Sequence, residues 1–255
     1  MKWERLTSPE IHALDRNIPV ILPIAAIEQH GPHLPLATDS LIADHFMERI
    51  DDRMGNGVLT LPTLRVACSG HPMHFTGTLT VSHETFLVYA FELLEAVIRH
   101  GFRHLILFNC HGGNQGIGQV LLEKLGNRYT DQSITLITWW RLVADELFQL
   151  QESDAGGVGH AGEFETSLLL HFAPEHVRLD QIPGERTNQP THSWAEGDML
   201  RSGKASYYRR TDEMTKNGVF GDPFLATPAK GLAISKLVET ALAGIIGNLS
   251  AQSGR

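Results

Sequence analysis

The stretch Ile18-Pro-Val-Ile-Leu-Pro-Ile-Ala-Ala-Ile27 runs without a break into Glu28-Gln-His-Gly-Pro-His33. Its first part is apolar and rich in β-branched residues, with prolines at 19 and 23, which fits a buried parallel strand. Acid, amide and imidazole then appear where such a strand would end. In an open parallel sheet, ligands bind beyond the carboxyl ends of the strands, so the junction reads as strand and then site. If the extended geometry persists, Glu28 and His30 project the same way and Gln29 does not.

Outward from this junction the pattern recurs. Asp39 and Ser40 are placed to cap a helix to about residue 50, and residues 58–64 read as a second strand. Ser82 starts a long amphipathic helix carrying Phe86, Leu87, Ala90, Leu93, Leu94, Val97 and Ile98, closed by His100-Gly101. Residues 104–109 and 134–139 are further short apolar strands, and 115–125, 141–150, 161–172 and 230–249 are expected helices. Short apolar strands alternating with longer helices predict an α/β fold, a mostly parallel sheet covered on both faces. There is no internal repeat and no linker, so 1–255 is read as one domain. Residues 187–217, polar and poor in apolar anchors, are the expected excursion from the core.

Composition narrows the function. The 255 residues are 42% hydrophobic and 20% charged, the profile of a folded chain rather than a disordered one. A net charge of −8 argues against a nucleic-acid or anionic-membrane partner. No apolar leader is seen at the start, no apolar run approaches the roughly 20 residues of a membrane span, and two cysteines make no disulfide framework, so a cytoplasmic setting is expected. Fourteen histidines are many, and several stand beside Glu, Asp or Gly.

Three polar clusters hold them. Glu28 and His30 follow the first strand, with Asp39 at a helix start, where a carboxylate is favoured. Asn109-Cys-His-Gly-Gly-Asn114 follows another strand. In His160-Ala-Gly-Glu-Phe-Glu-Thr-Ser167, a helix would put His160 and Glu163 on one face and Glu165 on another. Glu28, His30, Asp39, His111 and Glu163 make a mixed oxygen and nitrogen set suited to Zn²⁺, Mn²⁺ or Fe²⁺, and an aspartate can bridge two ions. The same residues also suit a capping aspartate with structural histidines, and spacing alone leaves both readings open. Cys110 is expected to face the sheet as a small apolar residue.

These clusters, with Phe75-Thr-Gly-Thr-Leu-Thr80 and Gly218-Val-Phe-Gly-Asp-Pro223, occur in an order that resembles the creatininase family over nearly the whole chain. The resemblance implies a three-layer α/β/α fold, two divalent metal ions (Zn, Mn or Fe), hydrolysis of a small C–N amide bond, and a homohexamer built as a trimer of dimers. It further implies that Glu28, Asp39 and His111 hold one ion and that His30 and a bridging Asp39 hold the other. Family members that open creatinine carry a carboxylate where Gly113 stands and a substrate-facing tyrosine where Gly112 stands. Glu163 is therefore expected to supply the missing ligand.

His160 is the expected general acid, and Ser69, Gly112 and Trp140 the expected substrate contacts, with His33, His71 and His74 at the entrance. The expected activity is a metal-dependent amidohydrolase using a metal-activated water on a small cyclic or formylated amide. The alternatives are a formamide deformylase of flavin or deazaflavin precursor synthesis, a mycofactocin-type peptide-maturation peptidase, and a non-catalytic metal-stabilised oligomer.

Overall fold

The computed structural model describes residues 1–251, so residues 252–255 of the expected 1–255 span lie outside the described residues. The helices are α1 Ser8–Ala13, α2 Thr38–Met54, α3 His83–Arg99, α4 Asn114–Arg128, α5 Trp139–Leu142, α6 Ala144–Leu150, α7 Glu163–Phe172, α8 Thr211–Met214 and α9 Pro228–Ala251. The strands are β1 Val20–Ile24, β2 Leu59–Thr60, β3 His104–Asn109 and β4 Ser133–Thr138, parallel in the order β2-β1-β3-β4.

Both faces are covered, as the apolar runs require. Val20, Leu22, Ile24, Leu105 and Leu107 pack with Phe86, Leu94, Ile117 and Leu121 of α3 and α4. Ile21, Ile106, Phe108 and Ile137 turn the other way, toward Phe46 of α2, Phe164 and Leu168 of α7, and Ile234 and Val238 of α9. This is the expected three-layer α/β/α arrangement. Helix α9 is long and apolar enough to cross a bilayer by composition, yet Ile234, Val238, Leu242 and Ile246 are buried in this core.

Register sets the position of the site. Ile24 pairs with Asn109 and Asn109 with Thr138, so β1, β3 and β4 end at one level. The residues that follow them, 25–30, 110–114 and 139–141, meet along one edge.

Several boundaries differ from the sequence reading for local reasons. The second strand is two residues long because Pro62 has no N–H to continue the ladder, although the chain rejoins the sheet at the Ile24–Leu64 bridge. Residues 141–150 divide between α5 and α6 at Val143, where φ is −131° and ψ 35°. The expected helix 161–172 starts only at Glu163, because Ala161 adopts φ +53°, a left-handed conformation unusual for a side chain with Cβ.

The α7–α9 contact fixes the depth at which α7 enters the site. A Cβ added at Gly231 would run into the Ser167 carbonyl oxygen, so only glycine permits this approach. Gly231→Ala is expected to cost about 1–3 kcal/mol, read as a lower Tm in thermal unfolding.

Candidate metal centre

Asp39 lies in the first turn of α2 and is buried. Its Oδ1 is 3.2 Å from His30 Nε2 and its Oδ2 is 3.0 Å from His111 Nδ1. One carboxylate thus faces two imidazoles from different loops. Glu28 Oε1 adds to one side, 3.3 Å from His111 Nδ1, and Glu165 Oε2 adds to the other, 3.8 Å from His30 Nε2.

The rings are aimed from behind. His30 Nδ1 donates to the Glu28 carbonyl at 3.1 Å, and His111 Nε2 donates to the Cys68 carbonyl at 3.1 Å. A carbonyl only accepts, so each ring turns its other nitrogen toward the carboxylates, the orientation seen in metal-ligating histidines. Among the described residues, buried Glu28 Oε2, His30 Nε2 and Asp39 Oδ2 make no well-aligned hydrogen bond, although His30 Nε2 and Asp39 Oδ2 have facing ion-pair partners at 3.2 and 3.0 Å. Buried polar atoms are rarely left so, and three converging ones fit a cation site. His30, Asp39 and Glu165 form one group able to hold an ion; Glu28 joins His71 and His111 in a second and His30 and His160 in a third.

The quoted motifs brace this centre. Asn109 accepts from His111 N–H at 3.0 Å and donates to Thr138 at 3.2 Å, while Asn114 donates to the Ala25 carbonyl at 3.0 Å. Thr78 accepts from Gln29 N–H at 3.1 Å, and Leu79 N–H bonds to the Ile27 carbonyl. The Gln29 side chain, turned away from Glu28 and His30, donates to the Gly218 carbonyl at 3.0 Å. His160 Nε2 donates to the Gln29 carbonyl at 2.7 Å, leaving Nδ1 3.4 Å from Glu28 Oε1.

Charge follows from this packing. Burial opposes protonation of His111, but the Glu28 and Asp39 carboxylates outweigh it and hold its pKa well above the usual imidazole value. His30, buried likewise, is raised to about 9 chiefly by Asp39. Burial also works against the Glu28 and Asp39 carboxylates, yet the neighbouring histidines lower both. Burial pushes Glu165 up to about 7 and His160 down to about 4, so His160 is neutral near pH 7. Burial raises the Cys110 thiol well above its usual range, which suits an apolar packing role.

Two expectations need correction. Glu163 is not in the cluster. It accepts from the backbone N–H groups of Glu152 and Ser153 and pairs with Lys230 in the interior. Glu165 stands in the centre instead, with Ala161 N–H donating to its Oε2 at 2.6 Å. The reason is the Ala161 turn: His160 lies outside the helix, so the i, i+3 relation to Glu163 does not apply. Ser69 is fully buried with Oγ 3.2 Å from His111 Nε2, behind the metal-facing side of the ring rather than toward a substrate.

Gly112 and Trp140 do line the cavity of about 860 Å³ above the cluster, together with His71 and His160, and residues 197–203 form part of its wall. Of the entrance histidines, His33 is buried with Nε2 2.9 Å from Thr166 Oγ1, and His74 is exposed near Asp212.

The fold and site together define a parallel α/β protein with a buried cluster of carboxylates and imidazoles, able to hold a cation, at the carboxyl edge of its sheet. The chain belongs to the creatininase family: the creatinine amidohydrolase family model matches residues 4–246. It is 31% identical to the creatinine amidohydrolase of Pseudomonas putida, over 64% of this chain and 67% of that one. It is 30% identical to the mycofactocin precursor peptide peptidase of Mycobacterium ulcerans, over 84% and 79%. Among solved structures, a putative creatinine amidohydrolase from Bacteroides fragilis superposes with a TM-score of 0.82 at 25% identity, covering 98% of this chain and 96% of that one. Crystalline creatininase gives a TM-score of 0.79 at 26% identity, covering 97% and 96%. Other creatininase structures are described as a Zn–Zn type and as a Mn form.

Two predictions follow from the geometry. Glu165→Ala should lower the bound metal measured by elemental analysis, whereas Glu163→Ala should keep the metal but lose about 1–3 kcal/mol of stability, because buried Lys230 then keeps only the largely exposed Glu152 and the Leu225 carbonyl as partners. At pH 7 the metal-free protein carries protons on His30 and His111. Cation loading must displace them, so titration calorimetry in buffers of different ionisation enthalpy should register proton release, and affinity should fall as pH drops below about 9.

Proposed function

We propose that this protein is a metal-dependent amidohydrolase that cleaves a C–N amide bond of a small cyclic or formylated molecule. The observation that carries the reading is Asp39 set between two imidazoles whose outer nitrogens are tied to backbone carbonyls. Glu28, Asp39 and His111 would hold one divalent ion and His30, Asp39 and Glu165 another, Zn²⁺ and Mn²⁺ being the metals named for solved relatives. Such ions supply Lewis acidity, polarising an amide carbonyl and making water a nucleophile near neutral pH.

The chain's own groups do the rest. His160 is neutral, and its Nε2–H is committed to Gln29, so Nδ1 offers a lone pair toward the centre. It therefore takes a proton from the attacking water before it can return one to the leaving nitrogen; its acid role comes second. Trp140 gives a flat substrate an aromatic wall, and Gly112 and Gly113 leave the floor beside His111 free of side chains.

A peptide-trimming activity is the second reading. It is supported by similarity to the mycofactocin precursor peptide peptidases and by a second cavity of about 580 Å³ that shares Ala195, Arg201, Tyr207 and Phe220 with the first. A peptide could extend along that path. Assays of loaded protein on formamides, cyclic amides and short peptides separate the readings by which substrate yields a new amine. His160→Ala should lower turnover by about 10²–10⁴-fold with metal content unchanged; full turnover in that variant would remove His160 from the mechanism.

A further inference from the structure

The Glu28 side of the centre has a neighbour that no motif contains. His71 stands on the loop between β2 and α3, and its Nε2 is 3.8 Å from Glu28 Oε2, one of the buried oxygens without a hydrogen-bond partner. Its ring stacks on His111, with centroids 5.7 Å apart and planes 14° from parallel. Ligand atoms of Glu28, His71 and His111 all lie within 4.8 Å of one another. Ligands about 2.1 Å from one ion sit roughly 3.0–3.5 Å apart at octahedral to tetrahedral angles. His71 Nε2 would have to close in from 3.8 Å on Glu28 Oε2 to complete that geometry, and it is a loop residue.

The floor of the site explains why a donor is wanted from above. A Cβ at Gly113 would run into the Cys68 carbonyl oxygen and the His111 ring. No side chain fits at position 113 without displacing His111 or the Cys68 carbonyl. Glu165 is taken up on the His30 side, and His160, whose Nδ1 also faces Glu28 Oε1 at 3.4 Å, is assigned to proton transfer. His71, by contrast, makes among the described residues only a backbone hydrogen bond, its carbonyl accepting from Thr211 N–H at 3.1 Å.

We infer that His71 is a protein ligand, through Nε2, to the divalent cation held by Glu28, Asp39 and His111. This rests on the two-ion reading above. The assignment makes the two positions unequal, since His71 arrives on a loop and its Nδ1 has no acceptor to orient the ring, whereas His30 is clamped by a carbonyl. It also links the ion to the cavity wall, because the His71 backbone is tied to α8 at Thr211.

The test is equilibrium metal binding by competition with a chromogenic chelator, using Zn²⁺ and Mn²⁺ in turn, on the full chain stripped and reloaded. The optical spectrum of the Co²⁺-loaded protein gives a second readout of coordination. His71→Ala should weaken one of two ions by about tenfold or more, leave the other within about twofold and alter the Co²⁺ spectrum. His71→Glu, whose carboxylate has a reach from Cβ similar to that of Nε2, should recover the affinity, and the exposed control His74→Ala should match the unaltered protein. Two ions bound by His71→Ala with unchanged affinities and an unchanged Co²⁺ spectrum would overturn the assignment alone. Fewer than two ions in the unaltered protein would overturn the two-ion reading and this assignment with it.

Discussion

Everything at the site is arranged around the Asp39 carboxylate. It is buried at the start of α2 with an imidazole at each oxygen. Carboxylates in an apolar interior are costly unless paired, and here three of them, Glu28, Asp39 and Glu165, surround the His30 and His111 rings. That concentration of charge persists only if positive charge is supplied, by protonated His30 and His111 or by divalent cations. The raised pKa values of both rings and the elevated Glu165 describe one constraint from different residues.

The fold keeps these groups in register. Parallel pairing ends β1, β3 and β4 at one level, and the side chains that follow are clamped by hydrogen bonds spent almost wholly on backbone. The side chains of Asn109, Asn114, Thr78 and Gln29 are not among the groups able to hold an ion, yet each holds a loop that carries one. The family motifs are therefore as much about bracing as about ligation, which is why they extend well past the residues that face the cluster. The buried Glu163–Lys230 pair belongs to the same support: it joins α7 to α9 and holds the turn at Glu152 and Ser153.

Glu163 and Glu165 show how far pattern reading reaches. Their separation is correctly read as two faces of a helix, but which face meets the metal side depends on where the helix begins. Ala161 at φ +53° moves that start past His160, and a left-handed alanine leaves no mark in the sequence. A signal for the right choice did exist. Lys230 is a cation on the last, apolar helix and needs a buried anion, but nothing local says that α9 crosses α7 close enough to provide one. His71 was legible only as a histidine near an entrance, since its relation to Glu28 spans a loop without periodicity.

The sequence by itself determined the α/β class and the edge of the sheet that carries the polar clusters, and it marked Glu28, His30, Asp39 and His111 as candidates there, with the family resemblance implying their joint role. These follow from local rules: apolar runs make buried strands, strands end in polar turns, and residues two apart share a side. Tertiary structure alone decided that Glu165 rather than Glu163 joins them, that Ser69 backs His111, and that His71 leans over Glu28. Those outcomes depend on the approach of α7 to α9 and on the path of a loop, distances set by packing between segments far apart in the chain, to which local sequence is blind.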